Sequence, residues 1–416
     1  GLAPALQATS HALRPAPPRL RVPVSRLLAI SQVALSTLLL IGAGLFARTL
    51  RNLLTLDMGY RGEDLLLVEI NPRALGYQDT QLRDLYDRLL ERVRAIPGVS
   101  LASLSLAPPV SGDQWVSNVS VAGYTPRPDE ELNAHKMVVT PGYFQVVGLP
   151  VIEGRGFTGQ DRRNTPPVAV INQTMARFGE RSAIGQRFGF PLGGSGIEIV
   201  GVVRDAVYNG PRDHTPHMAY LPMEQQMDGS GFHGAPVLRD LEVRAARGAA
   251  AAVAAQLRRA ISGVDPKLQV VAISTLRQRV GWSVAQERAM VQLTGFFGAL
   301  ALTLAAIGLY GVMSYAVARR TGEIGVRMAL GALAADVRRL ILRETLALAA
   351  VGIGLGLLAA LLSMRLVSSQ LFGVSPHDPA TMLAATLLVV SVAGLSGYLP
   401  ARRASRVDPM VALRHE

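Results

Sequence analysis

The sequence predicts an α+β membrane protein: four transmembrane helices, with a large mixed α/β extracytoplasmic domain inserted between helices 1 and 2. Three observations lead there. Charged residues make up only 17% of the 416 and hydrophobic residues 49%, with a mean hydropathy of +0.28; soluble chains carry about 25% charged residues. Four stretches long enough to cross a bilayer contain no charge at all. Between the first two of these, residues 48–288 switch repeatedly between helical and strand periodicity.

The elements follow in chain order. Residues 1–26 form a Pro- and Arg-rich segment, and Leu27 to Ala47 is the first span, whose 21 residues would rise roughly 31 Å. In the inserted domain, Leu65 to Ile70 (LLLVEI) reads as a strand. Gln81 to Ile96 reads as an amphipathic helix with Leu82, Leu85, Leu89, Val93 and Ile96 on one face. Val99 to Leu106 alternates as a strand, and Lys136 to Thr140, Val168 to Ile171, Ile197 to Val203 and Leu241 to Val243 are further strand candidates. A helix from Ala249 to Ile261 and a strand from Leu268 to Ile273 close the domain. Leu89 to Ser105 and Ala255 to Ser274 share a helix, Gly-Val, strand order, which suggests a split βαβ base with an inserted lobe at about 108–236. The glycines Gly193, Gly194 and Gly196 read as a flexible loop. The second span, 289–317, is longer than a bilayer needs and suits a stalk. A basic segment at 318–344, spans at 345–364 and 381–401, a short outer loop at 365–380 and a basic tail at 402–416 complete the chain.

Arginine placement orients it. Arg14, Arg19, Arg21 and Arg26 precede span one without any acid, and Arg319, Arg320, Arg327, Arg338, Arg339 and Arg343 crowd the segment between spans two and three. Arg402, Arg403, Arg406 and Arg414 follow span four, whereas the loop between spans three and four holds only Arg365 and Asp378. Short basic loops stay in the cytoplasm, so both termini are expected there, although Arg48 and Arg51 pull the other way. The net charge of +12 then belongs to anionic membrane lipid. No nucleic-acid partner is expected, since no basic stretch is interleaved with aromatics.

Several chemistries are excluded. Cysteine is absent, so there is no disulfide, thiolate metal site or Cys nucleophile. The only lysines are Lys136 and Lys267, and neither follows glycine. A phosphate-binding P-loop requires Gly-Lys, so any ATP is bound by a partner and the chain needs no cofactor of its own. The Gly-x-Ser-x-Gly nucleophile pattern is missing. His214 and His217 flank Pro216 and make a poor metal pair, so no metal is expected. No charge interrupts a span, which disfavours a channel or a proton-coupled carrier. In span three, Gly352 and Gly356 stand in Gly-x-x-x-Gly spacing, which permits close helix packing.

The informative stretch is RRTGEIGVRMALGALAADVRRLILR, Arg319 to Arg343. Glu323 and Arg327 are four apart and can pair on a helix, Ile324, Met328 and Val326 offer an apolar ridge, and Gly325, Ala329, Gly331 and Ala332 keep the surface thin. Such a helix suits a groove on another protein or an interfacial position on lipid.

TGEIGVRMALGA followed by an Arg-flanked span, together with the closing PARRASRVDPMVALRHE (Pro400 to Glu416), resembles MacB/FtsX-type ABC transporter permeases. SRLLAISQVALSTLLLIGAGLFARTLRNL, PGY and LPVIEGRGFT (Leu149 to Thr158) are also similar to that family, and the resemblance runs from about Arg21 onward. It implies a non-catalytic subunit in the bacterial cytoplasmic (inner) membrane, with a MacB-like periplasmic core domain and an FtsX-like permease domain at about 289–409. ATP hydrolysis by a separate cytoplasmic ABC ATPase would drive movements of the outer domain (mechanotransmission) for efflux or export, in a dimer with a second permease unit and in concert with a periplasmic adaptor. By the same resemblance, Glu323, Ile324, Gly325, Arg327, Ala329, Leu330 and Gly331 dock the ATPase, and Pro400, Arg402, Arg403, Asp408 and Pro409 form the cytoplasmic tail signature beside it. MacB itself carries a fused ATPase before its first span, where this sequence has only a Pro-rich stretch. That departure fits the C-terminal half of an acidobacterial-type duplicated permease, whose second unit is the upstream half; a separately encoded homodimeric permease is the alternative. An FtsX-like regulator that activates an envelope hydrolase, or senses a ligand without transporting, remains open alongside export.

Overall fold

The computed structural model describes residues 24–72, 76–77, 79–111, 115–121, 124, 132–177, 182–190, 194–213, 215–226, 237–330 and 333–405. They fall into two compact units, Leu53–Gln286, and Gly1–Asn52 together with Glu287–Glu416.

The first long helix is α1 (Val24–Thr55). The α/β unit then runs β1 (Leu65–Ile70), α2 (Asp79–Arg94), β2 (Val99–Ser105), β3 (Val116–Asn118), β4 (Ser120–Val121), β5 (Asn133–Val139), α3 (Tyr143–Val147) and β6 (Val151–Gly154). It continues through β7 (Val168–Asn172), α4 (Gln173–Ala176), β8 (Arg187–Phe190), β9 (Gly194–Val203), β10 (Met218–Pro222) and α5 (Met223–Gln226). It ends with β11 (Asp240–Ala245), α6 (Ala250–Ser262), β12 (Val270–Thr275) and α7 (Leu276–Ser283).

Strand β1 is paired antiparallel on both sides, by β11 and β12, and β11 pairs antiparallel with β2. Strands β1 and β2 are therefore parallel with β11 between them, and β11 and β12 are parallel with β1 between them. These are two interlocked split β-α-β units, with α2 and α6 as the crossovers, packed on each other. The apolar face of α2 (Leu82, Leu85, Tyr86, Leu89, Val93) and that of α6 (Val253, Leu257, Ile261) are buried against the sheet. After α2 the chain reverses at Gly98, whose φ of +91° is left-handed; a Cβ there would also press on Ala249 and Val253 at 3.2–3.3 Å. Gly263, its counterpart after α6, has an ordinary φ of −75°.

The lobe between β2 and β11 extends the same sheet. Strand β5 joins β2 through one pairing, Ser105 with Val139, and carries β10 parallel to itself. Beyond β10 come β7, β9, β8 and β4, with β3 on β5 and β6 on β9. Gly194 and Gly196, read above as part of a loop, belong to β9, where the Ile197–Val203 alternation begins earlier than apolar residues alone indicate. Asn172 ties the lobe together: its amide donates to Asp205 (2.8 Å) and the Pro216 carbonyl (2.9 Å), while its Oδ1 accepts from Met175 N and Met218 N. Asp161, nearly buried, takes both Arg155 guanidinium nitrogens at 2.8 Å. Burial pushes its carboxyl up, but the Arg155 and Thr158 hydrogen bonds outweigh that and hold it below its ordinary value.

In the helical unit α1 is joined by α8 (Ala285–Arg319), α9 (Thr321–Ala329), α10 (Ala334–Val367), a 3-10 turn (Ser368–Gln370) and α11 (Pro379–Ala404). Among the described residues four helices are long and apolar enough to cross a membrane. Each extends past its uncharged stretch, since polar flanks keep good helix formers; α10 begins at Ala334, so much of the basic segment belongs to the same helix as span three. Small buried residues from four helices meet at Ala29, Ala305, Ala349 and Ala393. Gly352 and Gly356 lie against α1: a Cβ at either would stand 2.7 Å from Val33 Cβ or the Ala34 carbonyl oxygen. Asp378 caps α11 through Thr381 N (2.9 Å) and pairs with Arg48 of α1. Outward-facing Phe296, Ile307, Leu362 and Leu366 are left exposed, as lipid-facing side chains must be.

Candidate functional site

Arg320 separates α8 from the short helix α9, and Leu330 follows α9 while Leu333 precedes α10. Within α9 the helical period sorts the side chains into two faces. Ile324 points inward and is 8% exposed, packed in one cluster with Met313 of α8, Val337 and Ile341 of α10, and Ala401 and Ala404 of α11. Gly325 is also buried, and Met328 packs partly against the same cluster. Glu323, Val326 and Arg327 face outward, and beyond them Leu330 is 82% and Leu333 69% exposed. The apolar ridge read from the sequence is thus divided: Ile324 anchors the helix, and Val326 with Leu330 forms the accessible part.

Ion pairs frame the anchor. Arg327 donates to Glu323 at 2.7 Å, four residues back on one exposed face. Glu344 of α10 receives Arg26 of α1 at 2.6 Å and Arg320 at 3.4 Å, so one carboxylate ties three elements together. A groove of about 260 Å³ opens beside it, floored by Met313, Ile324 and Ile341 and rimmed by Arg320, Glu323 and Arg327. Of the tail residues, Pro400 is buried inside α11, Arg402 is exposed, and Arg403 donates to Tyr310 Oη of α8 at 2.7 Å. Pro400, Arg402 and Arg403 thereby flank Ala401 and Ala404, which touch the floor under α9. Gly331, Asp408 and Pro409 lie outside the described residues, as does the side chain of Ala329. Gly352 and Gly356 are not part of this site; they face α1.

Glu344 and the Met313, Val337 and Ile341 floor were not singled out in the sequence. The i+4 run Val337, Ile341, Thr345, Ala349 is the signal that marks the inward face of α10. The partner of Glu344 had no local signal, since Arg26 is 318 residues away. His217 holds the Asn133 carbonyl oxygen at 3.0 Å through Nδ1, and His214 lies outside the described residues. Among the described residues no three His, Cys, Asp or Glu side chains converge as metal ligands.

Residues 27–260 match the MacB-like periplasmic core domain, and residues 295–409 match the FtsX-like permease C-terminal domain. The macrolide export ATP-binding/permease protein MacB 1/2 of Paracoccus denitrificans is 28% identical over 83% of this chain and 51% of its own length. The ABC transporter permease YknZ of Bacillus subtilis is 28% identical over 69% of this chain and 72% of its own. The chain spans about half the length of the MacB relatives it matches. The periplasmic region of MacB from Actinobacillus actinomycetemcomitans aligns with 56% of this chain and 97% of its own, at 14% identity and a TM-score of 0.38. With both domain matches in place on a chain that carries four membrane-length helices, this is an inner-membrane protein of the MacB/FtsX-type ABC transporter permease family.

Proposed function

We propose that this chain couples ATP hydrolysis by a separate cytoplasmic ABC ATPase to movement of its α/β unit on the outer side of the membrane, for efflux or export. The observation that carries the reading is the two-faced construction of α9. Its inner face is fixed to α8, α10 and α11 through Ile324, while Glu323, Val326, Arg327 and Leu330 stand exposed outside the spans. A short helix with an apolar strip and a charge pair fits a groove on a partner, and its anchor passes any push into the long helices. The arginine-rich flanks support cytoplasmic termini, with α9 then on the ATPase side. ATP is bound by the partner, because this sequence lacks the Gly-Lys of a phosphate loop. A second permease unit, either another copy or an upstream half, completes the pair of ATPase docking sites, and on the outer side a periplasmic adaptor would receive the exported substrate.

The test is co-purification of the ATPase with the full chain from native membranes, followed by ATPase rates after reconstitution. The Glu323→Lys, Leu330→Glu double variant should insert normally and lose the ATPase or its stimulation. Unchanged recovery and stimulation would remove α9 as the docking element.

A further inference from the structure

A second surface on the helical unit carries a different chemistry. Arg338, Arg339, Leu342, Arg343 and Leu346 fall at three- and four-residue intervals along α10, so they share one face. That face and Tyr398 of α11 line a groove of about 590 Å³. The opposite face of α10, Val337, Ile341, Thr345 and Ala349, is buried, so the arginine stripe points away from the bundle. Both acids on this part of the helix are occupied elsewhere: Asp336 accepts the Leu333 N–H at 3.2 Å, and Glu344 holds Arg26 and Arg320. Arg338, Arg339 and Arg343 make no ion pair among the described residues.

We infer that this groove binds the headgroup of an anionic glycerophospholipid. Its charged end supplies three guanidinium groups in a fork geometry suited to a phosphodiester. Leu342, Leu346 and Tyr398 line it beside them, where the uncharged stretch beginning at Thr345 enters the hydrocarbon. From Arg339 to Leu346 the helix rises about 10 Å, comparable with the ~5–8 Å of headgroup region on each side of a bilayer. Tyrosine is at home at that level because its ring is apolar and its hydroxyl polar. An acidic protein face would match the arginines but leave the apolar side of the groove uncovered. Lipid covers both.

The test uses the full chain in nanodiscs of equimolar phosphatidylglycerol and phosphatidylcholine, with retained lipid counted by native mass spectrometry after gentle extraction. The wild type should retain phosphatidylglycerol, and the R338Q/R339Q/R343Q variant should retain it roughly tenfold less or weaker still. The R338K/R339K/R343K variant should recover part of the retention, and Leu346→Gln should lower it with the charge unchanged. Melting temperatures within a few degrees of wild type would show that all three are folded. Equal retention in the wild type and the glutamine variant overturns the inference. So does displacement of the lipid by millimolar glycerol phosphate, which would mark a free-anion site. Loss of a bound acidic protein with lipid retention unchanged overturns it too.

Discussion

The α/β unit and the helical unit are held together in opposite ways. The first buries large side chains in one continuous core, with Tyr86, Tyr143, Phe188, Leu104 and Met137 all essentially inaccessible. The second has three small clusters built largely of Ala, Val, Ile and Leu, and displays Leu and Phe on its outside. Water drives the first arrangement, because apolar area leaves it on folding. Lipid removes that driving force between helices, so the second relies on backbones approaching closely where glycine leaves room. The same residue type therefore means different things in the two halves: an exposed Leu in the helical unit is no defect, and a glycine such as Gly352 or Gly356 there is a contact.

That contrast can be broken by substitution. Phe188→Ala in the α/β core is expected to cost about 3–5 kcal/mol in thermal or denaturant unfolding of that unit. Leu362→Ala, at a position 73% exposed in the helical unit, should leave stability within about 0.5 kcal/mol. Gly356→Leu should cost about 1–3 kcal/mol in detergent unfolding, because its Cβ collides with the Ala34 carbonyl oxygen and Thr37. Gly354→Leu, two residues away, meets nothing within 4 Å and should be near neutral. If both leucines behave alike, close packing is not what joins α10 to α1.

The α/β core also holds a carboxyl group, and this gives a prediction in pH. Burial raises Glu242 well above its ordinary value near 4.5, with Asp240 adding to the shift while Ser105 and Ser103 hydroxyls oppose it by donating to the carboxylate. The folded state keeps a proton that the unfolded chain releases, so its contribution is complete below about pH 4.5 and is lost as pH rises through the folded pKa. Glu242→Gln removes the titration, and its melting temperature should gain on wild type as pH rises above 5. A constant gap across that range would show that the carboxyl is not held neutral. An equally small effect belongs to the exposed pair Glu323 and Arg327, both 55% exposed. Glu323→Ala should change stability by no more than about 0.5 kcal/mol, which makes it a clean variant for separating coupling from folding.

Much of this architecture was legible because period is a local signal. The β1 limits coincide with the strand read at Leu65 to Ile70, and α2 and α6 were evident from their three-to-four spacing. The strand β10 (MAYLP) was not, because a short, fully buried run has no alternation and ends in a proline. Short edge strands such as β3 and β4 were invisible for a different reason: two or three residues cannot display a period. At the candidate site, the Glu323–Arg327 spacing was readable, but the inward turn of Ile324 was not. A nine-residue helix with Ile324, Val326 and Met328 on several sides does not say which of them meets the bundle. Long-range partners such as Arg26 and Glu344 leave no trace in a single sequence at all.

Under the proposed coupling, the seat of Ile324 would have a mechanical meaning. Its neighbours come from α8, α10 and α11, so a load applied to α9 cannot be absorbed by one of them alone. Packed interiors compress very little, and the load therefore appears as rigid rotation. Helix α8, with 35 residues, is about 52 Å long. Over that lever a tilt of only about 1° moves one end by roughly 1 Å, so under the proposed coupling a small helix at one end would have reach along the whole of α8.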